Sequence, residues 1–354
     1  MSCDALEPTL SFFTERLGFR IDAIYPADDP SAAMISGHGL SIRLVSGATE
    51  GVSMLYLLCD DPKATGTGIT TLAAPNGVTV ELVPFDPPMY VPATQQALVL
   101  TRASSDDQWV TGRASLQYRD LIPERHGGAF IASHIRITEG GPVPDYVHFH
   151  KIRFQVIYCR KGWVRVVYEG QGAPFVMQAG DCVLQPPMIR HRVLESSAGA
   201  EVIEIGAPAE HMTITDHELT LPTPDRYPER DFSGQRFARH IASQAKWSPW
   251  RIPGFEASDT GIAQATNGLA SVRVVRTRGL AAAVRQSHDT EFCCYFVLSG
   301  AVTVQLDGAS HALTADDSVT IPGGMAYALA DASGDLTMLE VTLPAAFETS
   351  QHAN

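Results

Sequence analysis

The sequence predicts a mainly β protein in which two barrel-sized units follow a smaller α+β block. One reason is that strand-like runs such as GWVRVVYEG and FCCYFVLSGAVTVQLDG alternate small or polar residues with apolar ones. A second is that Gly, Asp and Pro interrupt these runs every 8–12 residues, as they do in β-sandwiches and barrels. The third is an internal repeat.

The repeat relates the second and third parts of the chain. QVIYCRKGWVRVVYEG aligns with CYFVLSGAVTVQLDG, which places Gly162 over Gly300 at an offset of 138 residues. AGDCVLQPPMIRH aligns with ADDSVTIPGGMAY at an offset of 136 residues. Duplication of one barrel-sized unit is the simplest explanation of both alignments.

The chain length and its proline-bearing stretches suggest three domains. At about 100–200 residues per domain, 354 residues make two or three domains. VPFDPPMYVPATQQ and ELTLPTPDRYPERDFSGQ separate the blocks. We expect an α+β domain at 1–98, a first barrel at 112–215 and a second barrel at 236–348.

Composition narrows the possible partners. With 45% hydrophobic and 18% charged residues the chain can form sizeable cores, and a net charge of -13 disfavours nucleic acid or anionic membranes as partners. We see no signal peptide and no run of about 18 apolar residues. None of the six cysteines forms a CxxC pair. We therefore expect a cytoplasmic protein with reduced thiols that acts on a small molecule.

Three histidines and a glutamine have the spacing of a metal site. His148 and His150 are two residues apart, so on a strand their side chains share one face. Gln155 starts the next strand, and His191 follows a Pro-Pro turn. Three imidazoles and one amide oxygen are suitable ligands for Fe, Mn, Ni, Zn or Co.

These residues resemble the cupin pattern HxHx4E/Qx6G followed by Gx5PxxxxH, with Gly162, Gly180 and Pro186 in place. Gln155 stands where glutamate is usual, and Met188 where glycine is common. The resemblance implies two tandem cupin double-stranded β-barrels of the jelly-roll type. It also implies one metal bound by His148, His150, Gln155 and His191.

The third block does not carry this ligand set. Gln286, His288, Cys293 and Tyr327 occupy the matching positions. Because one histidine of three remains and a tyrosine replaces the last one, we expect a degenerate barrel that keeps the fold and binds no metal.

The first block resembles part of the glyoxalase/vicinal-oxygen-chelate family in LEPTLSFFTERLGFRIDAIY and APNGVTVELV. Its apolar spacing (Leu6, Leu10, Phe13, Leu17) predicts a short helix that ends at Gly18. Strand-like segments follow: RIDAIY, AAMIS, LSIRLV, MLYLLC and VTVELV. Glu81 falls where that family often binds metal. The family's opening strand is almost absent, so we expect a structural or dimerising role, and hence a homo-oligomer, most simply a dimer.

The bicupin resemblance implies a mononuclear iron dioxygenase that acts on a small oxygenated anion, with Zn, Ni and Mn as alternative metals. A non-redox isomerase, lyase or cyclase and a non-catalytic metabolite-binding module are the alternative functions. Gln155 is neutral, so the metal would keep its full charge and polarise oxygen ligands strongly. His134, Arg136 and Arg153 are candidate substrate contacts.

Overall fold

The computed structural model describes residues 1–354 apart from positions 4, 17, 38, 48–53, 64–69, 74–78, 104–108, 280, 281, 307, 353 and 354. The fold is mainly β, and two jelly-roll barrels form most of it. Among the described residues, no helix is long and apolar enough to cross a membrane.

The first block contains a short helix and seven strands. The predicted helix spans Leu6–Ser11 (α1), passes into a π-helical turn at Phe12–Arg16, and is followed by Gly18 at φ +69°. Leu17 lies outside the described residues. The strands are β1 (Ser2–Cys3), β2 (Arg20–Tyr25), β3 (Ala32–Gly37), β4 (Leu40–Ser46), β5 (Met54–Cys59), β6 (Thr71–Ala73) and β7 (Thr79–Pro84).

The segment from residue 99 to residue 215 forms the first barrel and one strand that leaves it. The short helix α2 (Arg125–Gly128) precedes the central strands. The strands are β8 (Val99–Thr101), β9 (Trp109–Thr111), β10 (Gln117–Asp120), β11 (Ile131–Ile137), β12 (Gly141–Pro142), β13 (His148–Lys151), β14 (Phe154–Lys161), β15 (Trp163–Tyr168), β16 (Phe175–Gln178), β17 (Cys182–Leu184), β18 (His191–Ser196), β19 (Ala200–Ala207) and β20 (Met212–Thr215).

The second barrel repeats this order and includes the short helix α3 (Ile262–Ala265). Its segment contains β21 (Ala238–His240), β22 (Trp247–Pro249), β23 (Phe255–Asp259), β24 (Ser271–Thr277), β25 (Gln286–His288), β26 (Phe292–Ser299), β27 (Ala301–Leu306), β28 (Ala309–Thr314), β29 (Ser318–Thr320), β30 (Ala328–Ala330), β31 (Thr337–Leu343) and β32 (Thr349–Gln351).

One seven-stranded sheet in each barrel faces the other barrel. The orders are β21-β17-β14-β19-β11-β10-β9 and β8-β29-β26-β31-β24-β23-β22, so the strands correspond one to one. The edge strands are exchanged: β8 precedes the first barrel but pairs with β29 of the second. Conversely, β21 precedes the second barrel but pairs with β17 of the first.

Both faces of these two sheets are buried. Along β14, Phe154, Val156 and Tyr158 pack into the core between the barrels, while Cys159 faces the interior of its own barrel. Along β26, residues 292, 294, 296 and 298 face the other barrel, and residues 293, 295 and 297 face inward. We expected FCCYFVLS to be a half-buried strand, but the contact between barrels buries its second face.

The first block is joined to the first barrel. Strand β2 pairs with β20 through Ala23–Ile214 and Ile24–Thr213, so β1, β4, β3 and β2 extend the sheet that contains β13 and β18. Strands β5, β7 and β6 form a small separate sheet. The predicted strands of this block are present, but its glyoxalase-like identity is not confirmed. The domain boundaries stay a prediction.

Candidate metal centre

His148, His150 and His191 converge inside the first barrel. His148 and His191 are directly paired on the neighbouring strands β13 and β18. Their ring centroids are 4.3 Å apart, and the ring of His150 is 5.2 Å from each. One nitrogen from each ring lies within 4.8 Å of the other two, and all three side chains are buried.

Each histidine uses Nδ1 for a local hydrogen bond. A ring nitrogen facing a carbonyl oxygen must carry the proton, which leaves Nε2 with a lone pair. The contacts are His148 Nδ1 to the Tyr146 carbonyl at 2.8 Å, His191 Nδ1 to the Ile189 carbonyl at 3.0 Å, and His150 Nδ1 to Thr213 Oγ1 at 3.0 Å.

Burial keeps these imidazoles neutral, the form that binds metal. It lowers the pKa of His191 to about 4 and the pKa values of His148 and His150 well below their ordinary range. The nearby Arg113 guanidinium lowers the pKa of His148 further. Three neutral nitrogen donors are therefore available at neutral pH.

Gln155 presents its amide oxygen to the same cavity. Its Nε2 donates to Glu204 Oε1 at 2.5 Å, which fixes the orientation of the amide. Oε1 is buried and has no hydrogen-bond partner among the described residues. Three imidazoles and one unpartnered carbonyl oxygen are a donor set that fits a divalent transition metal. Burial raises the pKa of Glu204, although the bond from Gln155 acts against this shift.

Arg113 places a positive charge beside these donors. Its Nη1 is 2.5 Å from Asp145 Oδ1, and its Nη2 donates to His148 Nε2 at 3.2 Å. Asp145 also accepts from the Val193 N–H at 2.8 Å. Burial alone would raise the pKa of Asp145, but His148, Arg113 and this N–H together hold it well below its usual range.

The donors line a cavity of about 110 Å³. Apolar side chains form most of its wall, including Ile135, Ile157, Val166, Met177 and Val202. Such a wall excludes water and strengthens the interaction between a bound anion and nearby charges.

The structure places the three predicted substrate contacts outside this cavity. Strand β11 turns Ile131, Ile135 and Ile137 toward the metal site. Strand alternation therefore directs His134 and Arg136 to the opposite face, where His134 Nε2 is 2.9 Å from Glu201 Oε2. Arg153 forms an ion pair with Glu291 of the second barrel at 3.3 Å. His134 packs against Phe296 of the second barrel, whereas Arg136 lies over Trp109 of its own barrel. The expectation that these three residues line the metal pocket is corrected.

Met188 occupies the turn position where glycine is common in the motif. Its φ is +66°, a left-handed conformation that favours glycine. Its N–H donates to the His150 carbonyl at 3.0 Å, which ties the turn before His191 to strand β13. The substituted turn therefore still presents His191 to the site.

The corresponding centre of the second barrel is filled by a polar network. Gln286 Nε2 donates to Tyr327 Oη at 3.3 Å, and the hydroxyl groups of Tyr295 and Tyr327 are 2.9 Å apart. Arg251 forms an ion pair with Glu340 at 2.5 Å. Burial raises the pKa of Cys293 to about 12, which opposes a nucleophilic thiolate.

In the part of the chain that the structure describes, few groups of His, Cys, Asp or Glu side chains could hold a metal ion. None of them includes His288, Cys293 or Glu81. A second cluster, His134, Glu201 and Asp316, is already paired with arginines: Arg119 donates to His134, and Arg160 to Asp316.

A comparison with protein families matches residues 276–342 to the cupin domain. This segment lies in the second barrel, the one without the histidine set. The comparison with curated proteins found no match.

Solved structures with two cupin barrels share the fold. A variant of salicylate 1,2-dioxygenase from Pseudoaminobacter salicylatoxidans in complex with gentisate has 14% identity and a TM-score of 0.55, and the match covers 75% of this chain and 88% of that one. A variant of oxalate decarboxylase from Bacillus subtilis has 12% identity and a TM-score of 0.53, covering 75% and 81%. The protein thus contains a cupin domain and has the bicupin fold.

Sequence reasoning missed Arg113, Asp145 and Glu204, although the repeat contained a signal for two of them. Arg113 corresponds to Arg251 at the offset of 138, and Glu204 corresponds to Glu340 at the offset of 136. A polar residue retained at matching inward positions of both copies is a candidate for the barrel interior.

Proposed function

We propose that this protein is a mononuclear metal-dependent enzyme, an iron dioxygenase that acts on a small oxygenated anion. The observation that carries the proposal is the convergence of three imidazoles and Gln155 Oε1 in a buried cavity next to Arg113. Bound there, iron would supply coordination positions for substrate oxygens and dioxygen.

The donor set favours iron over manganese. Imidazole suits Fe, Ni, Cu and Zn, whereas carboxylate, carbonyl and water oxygens suit Mn, and here three of the four donors are imidazoles. Neutral ligands also leave a net positive site, which attracts an anion. Glu204 moderates this effect because it lies directly behind Gln155.

Arg113 is the residue best placed to bind an anionic group. Its guanidinium lies within hydrogen-bonding distance of His148 Nε2, so it is adjacent to any metal held there. Asp145 fixes the guanidinium from the opposite side. A carboxylate that coordinates the metal could then accept a charge-assisted hydrogen bond from Arg113. The two solved structures agree with this assignment, since salicylate, gentisate and oxalate are small oxygenated acids.

A non-redox lyase or isomerase is the second candidate, and Glu204 favours it. Its carboxyl lines the cavity, and burial raises its pKa, as is common for carboxyl groups that act as general acids or bases. The third candidate, a binding module without turnover, would show ligand affinity and no reaction.

Elemental analysis and oxygen uptake test the proposal together. Protein purified without added metal should contain one iron per chain and consume oxygen with one of a panel of hydroxybenzoates and small dicarboxylates. One zinc, nickel or manganese per chain with substrate turnover and no oxygen uptake would instead support the second candidate. Two tightly bound metals per chain, or a metal on His288, would contradict the assigned site.

A further inference from the structure

His211 lies between the metal cavity and a second, outer cavity. It precedes β20, its side chain is 7% exposed, and it lines both cavities. The outer cavity measures about 340 Å³ and is bounded by Tyr25, Lys151 and prolines at 87, 88 and 92. The imidazole is therefore positioned to meet a molecule that occupies the metal cavity.

The two ring nitrogens of His211 have different roles. Nδ1 is 3.1 Å from the Pro208 carbonyl oxygen and must carry a proton to bond to it. Nε2 is buried and has no hydrogen-bond partner among the described residues. Because burial lowers the pKa of His211, the ring is neutral and Nε2 is a hydrogen-bond acceptor.

His211 is too far from the other donors to act as a fourth ligand. Its nitrogens are outside the group of His148, His150 and His191, whose donor atoms all lie within 4.8 Å of one another, although its ring contacts that of His150. At the offset of 136 residues the second barrel has Phe347, whose ring centroid is 6.2 Å from that of His288. The second barrel, which lacks the set of three histidines, thus has an apolar ring at the position of His211.

We propose that His211 determines specificity by accepting a hydrogen bond, through Nε2, from a hydroxyl group of the ligand at the metal centre. This inference rests on the proposed function and adds a required feature to the substrate. A buried acceptor without a partner is unfavourable, so a ligand that donates to it gains affinity over one that lacks the donor. The substrate class is accordingly a hydroxylated acid whose carboxylate meets the metal and Arg113.

The probes are salicylate and the four dihydroxybenzoates that add one hydroxyl to it at ring position 3, 4, 5 or 6. All five share the same carboxylate and neighbouring hydroxyl for metal binding. Their dissociation constants are measured by calorimetry on Fe(II)-loaded protein without oxygen, and again on metal-free protein. We expect the parent to bind at least one dihydroxybenzoate about tenfold more tightly than salicylate.

His211→Phe, which introduces the residue of the second barrel, should abolish this preference and leave salicylate affinity within about twofold. His211→Gln, whose amide oxygen can accept, should restore part of it. His288→Phe is the matched control, since His288 Nε2 is also buried without a partner among the described residues but lies in the second barrel. Circular dichroism verifies the fold of each variant.

A parent without preference for any dihydroxybenzoate, or one that binds none of the five probes, would overturn the inference. So would a preference that survives His211→Phe. Failure of the proposed function would appear separately, as protein that does not hold one equivalent of iron in elemental analysis. The probe series then still reports on His211 through the metal-free titrations.

Discussion

The two barrels share a backbone plan but fill their centres differently. In the first barrel Asp145 holds Arg113, and the interior keeps three histidines around a cavity. In the second, the position offset from Asp145 by 138 is Ala283, and Arg251 pairs with Glu340 instead. The presence of Asp145 is therefore the difference between Arg113, which borders a cavity, and Arg251, which belongs to a buried polar network.

The comparison also shows what the fold requires. Both barrels keep the inward glutamate and arginine, the glycine turn between their long strands, and the same strand order. Gly162 and Gly300 adopt φ +68° and +72°, and a Cβ on either would come within 2.4 Å of a serine Oγ. Apolar burial and turn geometry are common to the two barrels, whereas the set of three histidines is present in the first barrel and not in the second.

Removing one histidine from the first barrel should have the largest effect. His191→Ala deletes one of three strong donors, so the protein should lose its stoichiometric metal while the barrel stays folded. Metal content and thermal melting of the parent and the variant check this. His288→Ala in the second barrel is the control and should leave metal content unchanged. Full metal content in His191→Ala would mean that another residue is the ligand.

Removing Asp145 should make the first centre resemble the second. Asp145→Ala leaves Arg113 buried without its main partner, and the free energy of unfolding should fall by about 3 kcal/mol. Metal content should fall as well, because Arg113 is released toward Glu204. Chemical denaturation measures the first effect and elemental analysis the second. Asp145→Asn, which can still accept from the Val193 N–H, should lie between the parent and Asp145→Ala; equality with the parent would contradict the role of its charge.

Acid should destabilise the metal-free protein through its buried histidines. Burial lowers the pKa of His191 to about 4, so between about pH 6.5 and 4 the unfolded chain binds a proton that the folded chain does not. Stability is thus complete above pH 6.5 and falls as the pH decreases, by about 3 kcal/mol for this residue. Denaturation at several pH values should show a smaller decrease in His191→Gln. An unchanged decrease would assign the effect to other groups.

Exchanging the neutral ligand for a charged one should have a smaller effect. Gln155→Glu adds a carboxylate next to Glu204, which lowers the positive charge of the site. The variant should keep its metal and bind anions about tenfold more weakly, since a nearby charge contributes on the order of 1 kcal/mol. Titration with salicylate measures this. Gln286→Glu in the second barrel is the control, and equal affinity in Gln155→Glu and the parent would refute the charge argument.

The sequence predicted the barrels and the grouping of His148, His150 and His191 because both have a short-range signal. Strand alternation, turn glycines and the HxH spacing require only that neighbouring residues share a face. His134 and Arg136 show the limit of this reasoning. Alternation placed them correctly on one face, but the face that meets the other barrel and the face that meets the cavity are both buried. Only the three-dimensional arrangement distinguishes these faces.

The contact between Arg113 and Asp145 in the first barrel could not be predicted from the sequence either. Asp145 and Arg113 are 32 residues apart and meet through barrel closure. The first block shows the same limit on a larger scale. Its strands were predicted, yet the pairing of β2 with β20 joins residues nearly two hundred positions apart and has no local pattern.

Because the edge strands are exchanged, each barrel needs a strand from the segment of the other. A gene truncated before residue 236 would lose β21, and one starting at residue 112 would lose β8. Truncation before residue 236 therefore exposes the edge of β17 and the apolar face of β14, and loss of β8 exposes the edge of β29; a chain that began at residue 236 would also expose the apolar face of β26. The two barrels therefore depend on each other for a complete fold. The second barrel is thus required for structural reasons, whatever residues fill its interior.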